Sequence, residues 1–214
     1  MTINYKKSHY IVFHRKKLLP VNVLDIVLND RILDRVQNTV FLGLNVNHNL
    51  NWSDHIKLQT AKISRINAIL YLTRSNFPKN CLTLLYNSLV YPILSHCNIV
   101  WGRTYKSTLN QLFVAQKRCI RTINFRKRRD HTSLDFYSMK TFKLCDINNY
   151  FSLIFVFKFI NGLISSPIAW EFATDDRFRN FNNLNLQVPL LVPPSINSHL
   201  IIIALLFGMI YPVQ

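Results

Sequence analysis

Between Val40 and Ile56 the chain changes its hydrophobic period, and this change restricts the folds open to it. Upstream, apolar residues come in short alternating runs divided by turn residues, as in β-strands; downstream they recur at helical spacing over long segments. Val40, Leu42 and Leu44 alternate with Phe41 and Gly43, which predicts one short strand, buried on both faces and ending near Asn45. Asparagines then mark a turn, Trp52 is an apolar anchor, and Ser53 with Asp54 offers an N-cap and a first-turn carboxylate for a helix. The expectation is an α+β chain, mainly α, in which a small antiparallel β hairpin or sheet over residues about 8–44 precedes a helical bundle.

In the β part, Ser8 to His14 reads as a strand ended by Arg15, Lys16 and Lys17. Val23 to Leu28 and Arg31 to Val36 read as the arms of a hairpin with Asn29 and Asp30 at its tip, because Asn and Asp tolerate the positive φ of tight turns. So small a sheet needs a partner to cover its apolar face. In the helical part, Ile56, Ile63, Ile66 and Leu70 place a first helix over about Ser53 to Arg74. Pro78 suits the first turn of a second, whose apolar residues include Leu82, Leu85, Tyr86 and Leu89; Pro92 should kink or divide it before it ends at Trp101 and Gly102. A third runs from about Ser107 to Asn124, and Asp146 caps a last one through Phe159, closed by Asn161 and Gly162.

The formal net charge of +16 implies an anionic partner, nucleic acid or a membrane surface. Its distribution is more informative. Between Asp54 and Asp130 there are fourteen Lys or Arg residues and no Asp or Glu, although the whole chain has ten acids. A merely solvated helical surface would include acids for intrahelical pairing, whereas a surface that faces phosphates excludes them. Candidate nucleic-acid contacts are Lys117, Arg118, Arg121, Arg126, Lys127, Arg128 and Arg129, with Lys62 and Arg65, beside Lys57, equally well explained as solvated. Tyr105 or Phe125 could stack on a base or sugar, though aromatics beside helices are more often core.

Catalytic patterns are thin. Asp25, Asp30 and Asp34 fit solvent-facing hairpin positions better than a metal cluster, and two-metal chemistry needs carboxylates converging on neighbouring ions. His96 with Cys97, and Cys119 with His131, match no closed zinc spacing. The four cysteines, Cys81, Cys97, Cys119 and Cys145, lack a C-x-x-C pair and read as reduced core residues of an intracellular protein. The first residues lack the apolar core of a signal peptide, so export is not expected. No phosphate-binding loop or nucleophile elbow is present.

Beyond these physical readings, the wording of several segments is specific. The series F-L-G-L, a turn and L-N-W-x-x-H-I resembles the end of the palm and start of the thumb in reverse transcriptases of LINE-type, jockey-like non-LTR retrotransposons. K-K-S-H-Y-I-V-F-H is similar to the strand that follows their F/Y-A-D-D catalytic hairpin. L-L-Y-N-S-L-V-Y-P-I-L-S-H-C-N-I-V-W-G, Q-K-R-C-I-R-T-I, R-D-H-T-S-L, C-D-I-N-N-Y and K-F-I-N-G are similar, in order and spacing, to the thumb and the helical region after it. The resemblance runs from about Ser8 to Gly162. His55 and His131 match histidines of this pattern, with structural roles at helix ends expected.

The resemblance implies a palm remnant over residues 1–50, a thumb and following helical region over 51–163, and an irregular tail over 164–214. It implies a fragment of an RNA-directed DNA polymerase that grips template-primer RNA and DNA. The catalytic hairpin and its magnesium-binding carboxylates are absent from this chain, so it is expected to be inactive alone, with no cofactor or small-molecule substrate of its own and a place in the nucleus or cytoplasm. Two alternatives stand beside it: a basic membrane-associated protein, and a pseudogene product without function. The apolar run from Leu200 to Tyr211 is shorter than the roughly 20 residues a spanning helix needs. One codon choice for its F-G-M-I-Y-P reads W-N-D-L-P in a shifted frame, a segment this family carries, so the run is expected to be a frameshift relic rather than a membrane partner.

Overall fold

The computed structural model describes residues 8–13, 25–28, 31–164, 171–173 and 185–187. Expectations for residues 14–24, for the 29–30 turn tip, and for nearly all of the tail including the apolar run lie outside them. The chain divides into two units, Met1–Leu153 and Ile154–Gln214. It is α+β and mainly helical, as the change of period predicts.

Among the described residues, four short ribbons make up the β structure. β2 (Val27–Leu28) and β3 (Arg31–Ile32) pair antiparallel, with Val27 opposite Ile32, as the hairpin reading requires. β1 (His9–Tyr10) instead pairs in parallel with β4 (Asp34–Arg35), extended by a 2.9 Å bond from the Val36 N–H to the Tyr10 carbonyl. The run Val40 to Leu44 is not one strand. β5 (Asn38–Phe41) and β6 (Leu44–Asn47) form an antiparallel hairpin across Leu42 and Gly43, both at positive φ, 47° and 81°. Two successive positive-φ residues match the twist of the flanking strands, so the turn falls inside an apolar run that alternation alone reads as continuous. Val40 and Leu42 are exposed in consequence, and only Leu44 and Val46 face inward. β7 (Glu171–Ala173) and β8 (Asn185–Gln187) form an antiparallel pair in the second unit.

α1 (Ser53–Thr73) begins without a side-chain cap from Ser53. Asn51 does that work, its Oδ1 accepting the Ser53 N–H at 2.9 Å, while Asn47 holds the Asn51 N–H at 2.7 Å. Its buried residues Ile56, Ile63 and Leu70 lie seven apart, a stripe against α5 (Lys106–Ile123), whose Leu112, Cys119, Ile120 and Ile123 are buried in turn. These helices form the most extensive pair among the described residues. Each fully buried aliphatic side chain contributes roughly 1.5–3 kcal/mol, so this seam dominates the first unit.

α2 (Lys79–Leu85) and α3 (Tyr91–Ser95) flank a π-helical turn over Tyr86–Val90. Pro92 explains it. Proline has no N–H and its ring crowds the carbonyl four residues back, so the chain widens by one residue, and the Tyr91 N–H bonds the Tyr86 carbonyl. α4 (Asn98–Trp101) follows a left-handed Cys97, and Trp101 is fully buried with its Nε1–H on the His96 carbonyl at 3.0 Å. α6 (Ser133–Ser138) is short. α7 (Leu144–Ile160) starts two residues before Asp146, which lies in its first turn. Its starting Leu144 N–H is capped from another helix, by Gln116 Oε1 at 3.0 Å. Gly162 at φ 66° closes α7 as expected. Cys119 is buried, but Cys81 and Cys145 are exposed, so the cysteines are not uniformly core.

Candidate nucleic-acid interface

The C-terminal halves of α1 and α5 lie side by side, tied by Thr122 Oγ1, which donates to Asn67 Oδ1 at 2.8 Å. The buried seam runs on through Leu70 and Ile123; Ile69, Tyr71 and Leu72 of α1 are exposed, and the basic side chains come from Arg74 at the end of α1, from α5 and from the loop after it. A cleft of about 600 Å³ opens between the two helices, lined by Asn67, Tyr71, Arg74, Val114, Arg118, Arg121, Thr122, Arg126 and Arg128. Five of these nine residues are arginines and none is acidic.

The arginines are not equivalent. Arg121 donates from Nε to the Asp130 carbonyl at 2.9 Å, and Asp130 Oδ2 accepts the Lys127 N–H at 2.8 Å. These bonds fold the loop after α5 back onto the helix. Arg126 donates from Nε and Nη2 to Asp135 Oδ1, both at 3.2 Å, and the Asp135 side chain is only 5% exposed. Asp135 thereby positions Arg126 and offsets its charge. Arg118 and Arg128 have no carboxylate partner among the described residues. Arg74 lies over the Tyr71 ring, 4.2 Å from its centroid. Helix C-termini carry partial negative charge, so Arg74 and Arg121 also balance the ends of α1 and α5. With Arg126 paired to Asp135, that accounts for three of the five and leaves Arg118 and Arg128.

Of the residues anticipated from sequence, Arg118, Arg121, Arg126 and Arg128 come together in the cleft. Lys127 and Arg129 join Arg128 and Asp130 around an adjoining depression. Lys117 points elsewhere, with its Nζ 4.1 Å from the centroid of the Phe113 ring. Lys62 and Arg65 are exposed on α1 outside the cleft lining. Arg74 and Tyr71 were not singled out; their i, i+3 spacing at the end of a basic helix was the available signal. Tyr105 is exposed at the N-terminal end of α5, away from Phe125 at the other.

Other titratable groups are structural. His55 is buried between Trp52 and Trp101, and its Nδ1 accepts the Asn45 N–H at 3.3 Å, which joins β6 to α1. Burial, with Lys62 and His96 nearby, lowers its pKa to about 4, so it is neutral at physiological pH. Burial pushes the Cys119 thiol up to about 12, which removes it as a nucleophile. His96 Nε2 donates to the Leu42 carbonyl at 2.9 Å and so fixes the β5–β6 turn. Among the described residues no three His, Cys, Asp or Glu side chains converge as metal ligands; Asp25 and Asp34 are exposed and Asp30 lies outside those residues.

No family model, curated protein or solved structure matches the chain.

Proposed function

We propose that the cleft between α1 and α5 grips the phosphate backbone of a template-primer duplex, and that the chain is the thumb-bearing part of a LINE-type reverse transcriptase. The observation that carries the first statement is five arginines lining one open cleft with no acid among them. Guanidinium groups pair with phosphate oxygens in planar, two-pronged fashion, and phosphate binding is driven by counterion release. Such contacts position a duplex without reading its sequence. The ordered motifs from Ser8 to Gly162 support the second statement, and the activity that needs the F/Y-A-D-D hairpin would reside outside this chain. An intracellular site of action follows from the nucleic-acid ligand. Among the described residues no helix is long and apolar enough to cross a membrane.

The test compares affinity for a primer-template duplex with affinity for anionic lipid vesicles at the same ionic strength. The duplex should bind more tightly, and Arg118→Ala with Arg128→Ala should weaken it about tenfold for every sequence. Lys62→Ala with Arg65→Ala, outside the cleft lining, should cost much less. Preference for vesicles, or an unaffected Arg118/Arg128 variant, would defeat the reading.

A further inference from the structure

At the end of α5 an aromatic residue occupies a backbone position that favours glycine. The helix closes with the Phe125 N–H on the Thr122 carbonyl at 3.4 Å and the Arg126 N–H on the Arg121 carbonyl at 2.9 Å. This Schellman closure requires a left-handed residue, and Phe125 adopts it with φ 54°. At the end of α7 the same job falls to Gly162. A β-carbon is disfavoured in this region, and burial does not compensate Phe125, which is 59% exposed. Lys140 closes α6 in the same way at φ 49°, so the backbone alone does not mark a site; what sets Phe125 apart is the exposed ring it holds beside the cleft.

The neighbours of Phe125 are planar. The Arg74 guanidinium carbon lies 5.3 Å from its ring centroid and 4.2 Å from that of Tyr71, a residue 56% exposed. Tyr71 and Arg74 line the basic cleft, so the two rings and the guanidinium within reach of both form a platform continuous with it. We propose that this platform stacks an unpaired nucleobase, belonging to a single-stranded segment that continues from nucleic acid held in the cleft. The inference rests on the phosphate-binding reading of the cleft. Every base offers a flat π face, so stacking here is sequence-tolerant, and it contacts no sugar, so RNA and DNA bind alike. A protein ligand would have to bring acidic groups to the five arginines as well as a ring to the platform; a nucleic acid strand supplies both anion and ring in each nucleotide.

The test uses the full chain and fluorescence anisotropy with three probes: a blunt duplex, the same duplex with a short single-stranded overhang, and the same overhang made abasic. Overhangs of either polarity, in RNA and in DNA, are compared. Bases should tighten binding about tenfold over the abasic overhang. Phe125→Gly, which keeps the helix closure, should erase that gain while blunt-duplex affinity stays within about twofold and helical circular dichroism is unchanged. Equal affinity for base-bearing and abasic overhangs, or a gain that survives Phe125→Gly, would overturn the inference and leave the platform to a protein ligand. Failure of the blunt duplex to bind would instead defeat the cleft reading, and base-dependent binding of the single strand sensitive to Phe125→Gly would then sustain the platform alone.

Discussion

At Phe125 the backbone and the side chain favour different residues, and the disagreement can be measured. Phe125→Gly and Phe125→Ala both remove the ring and its contact with Arg74, yet only glycine relieves φ 54°. Phe125→Gly should therefore be more stable than Phe125→Ala by about 1 kcal/mol in urea unfolding. Equal stabilities would show that the left-handed backbone is not strained. His55 makes a second residue-scale prediction. Its folded-state pKa of about 4 lies below the ordinary 6.5, so the folded chain binds fewer protons than the unfolded one. Stability from this site is complete above about pH 6.5 and falls as the pH drops toward 4, by at most about 3 kcal/mol. The thermal midpoint should fall across that window, and a His55→Gln variant should show a smaller fall; identical pH profiles would remove His55 as the cause. Neither residue was fully legible in the sequence. Tryptophan at 52 and histidine at 55 suggested an anchored helix start, whereas the strain at Phe125 depends on a helix closing one residue earlier.

Elements were legible where a period could be sustained. α1 and α5 declare themselves through apolar residues at helical spacing, and Pro92 announces the break that becomes a π turn. Their ends were less legible, because caps here are supplied by tertiary neighbours. Asp146 looked like a cap by type, but Gln116 supplies the bond at Leu144 from α5. Gln116 is fully buried, and its Nε2 also donates to Tyr86 Oη and to the Phe142 carbonyl, both at 2.9 Å. One side chain thus joins the π turn, α5 and the start of α7. Gln116→Ala would take away the partner of Tyr86 Oη, of the Phe142 carbonyl and of the Leu144 N–H, and should cost about 2–4 kcal/mol in urea unfolding, against little for Lys62→Ala. A cost near zero would mean that water replaces the network. Gly102 is constrained by a separate contact, since a β-carbon there would overlap Asn98 Oδ1 and Asn148 Nδ2, which are bonded to each other at 3.0 Å. Gly102→Ala should destabilise by about 2 kcal/mol, an effect the Trp-Gly helix ending in the sequence does not announce.

For the whole molecule, the exclusion of acids between Asp54 and Asp130 foretold a basic surface, but linear sequence could not show which basic residues face one another. Packing of α1 on α5 selects Arg74, Arg118, Arg121, Arg126 and Arg128, and sets Lys117 on Phe113 instead. Because Asp135 offsets Arg126, about four net charges remain to meet phosphates. The most direct test of the account is the salt dependence of duplex binding by the full chain. The logarithm of the association constant should fall against the logarithm of salt concentration with a slope of about −3 to −4, flattened to about −2 by Arg118→Ala with Arg128→Ala. A wild-type slope near zero, or a slope the double variant leaves unchanged, would contradict the assignment of this cleft to the phosphate backbone.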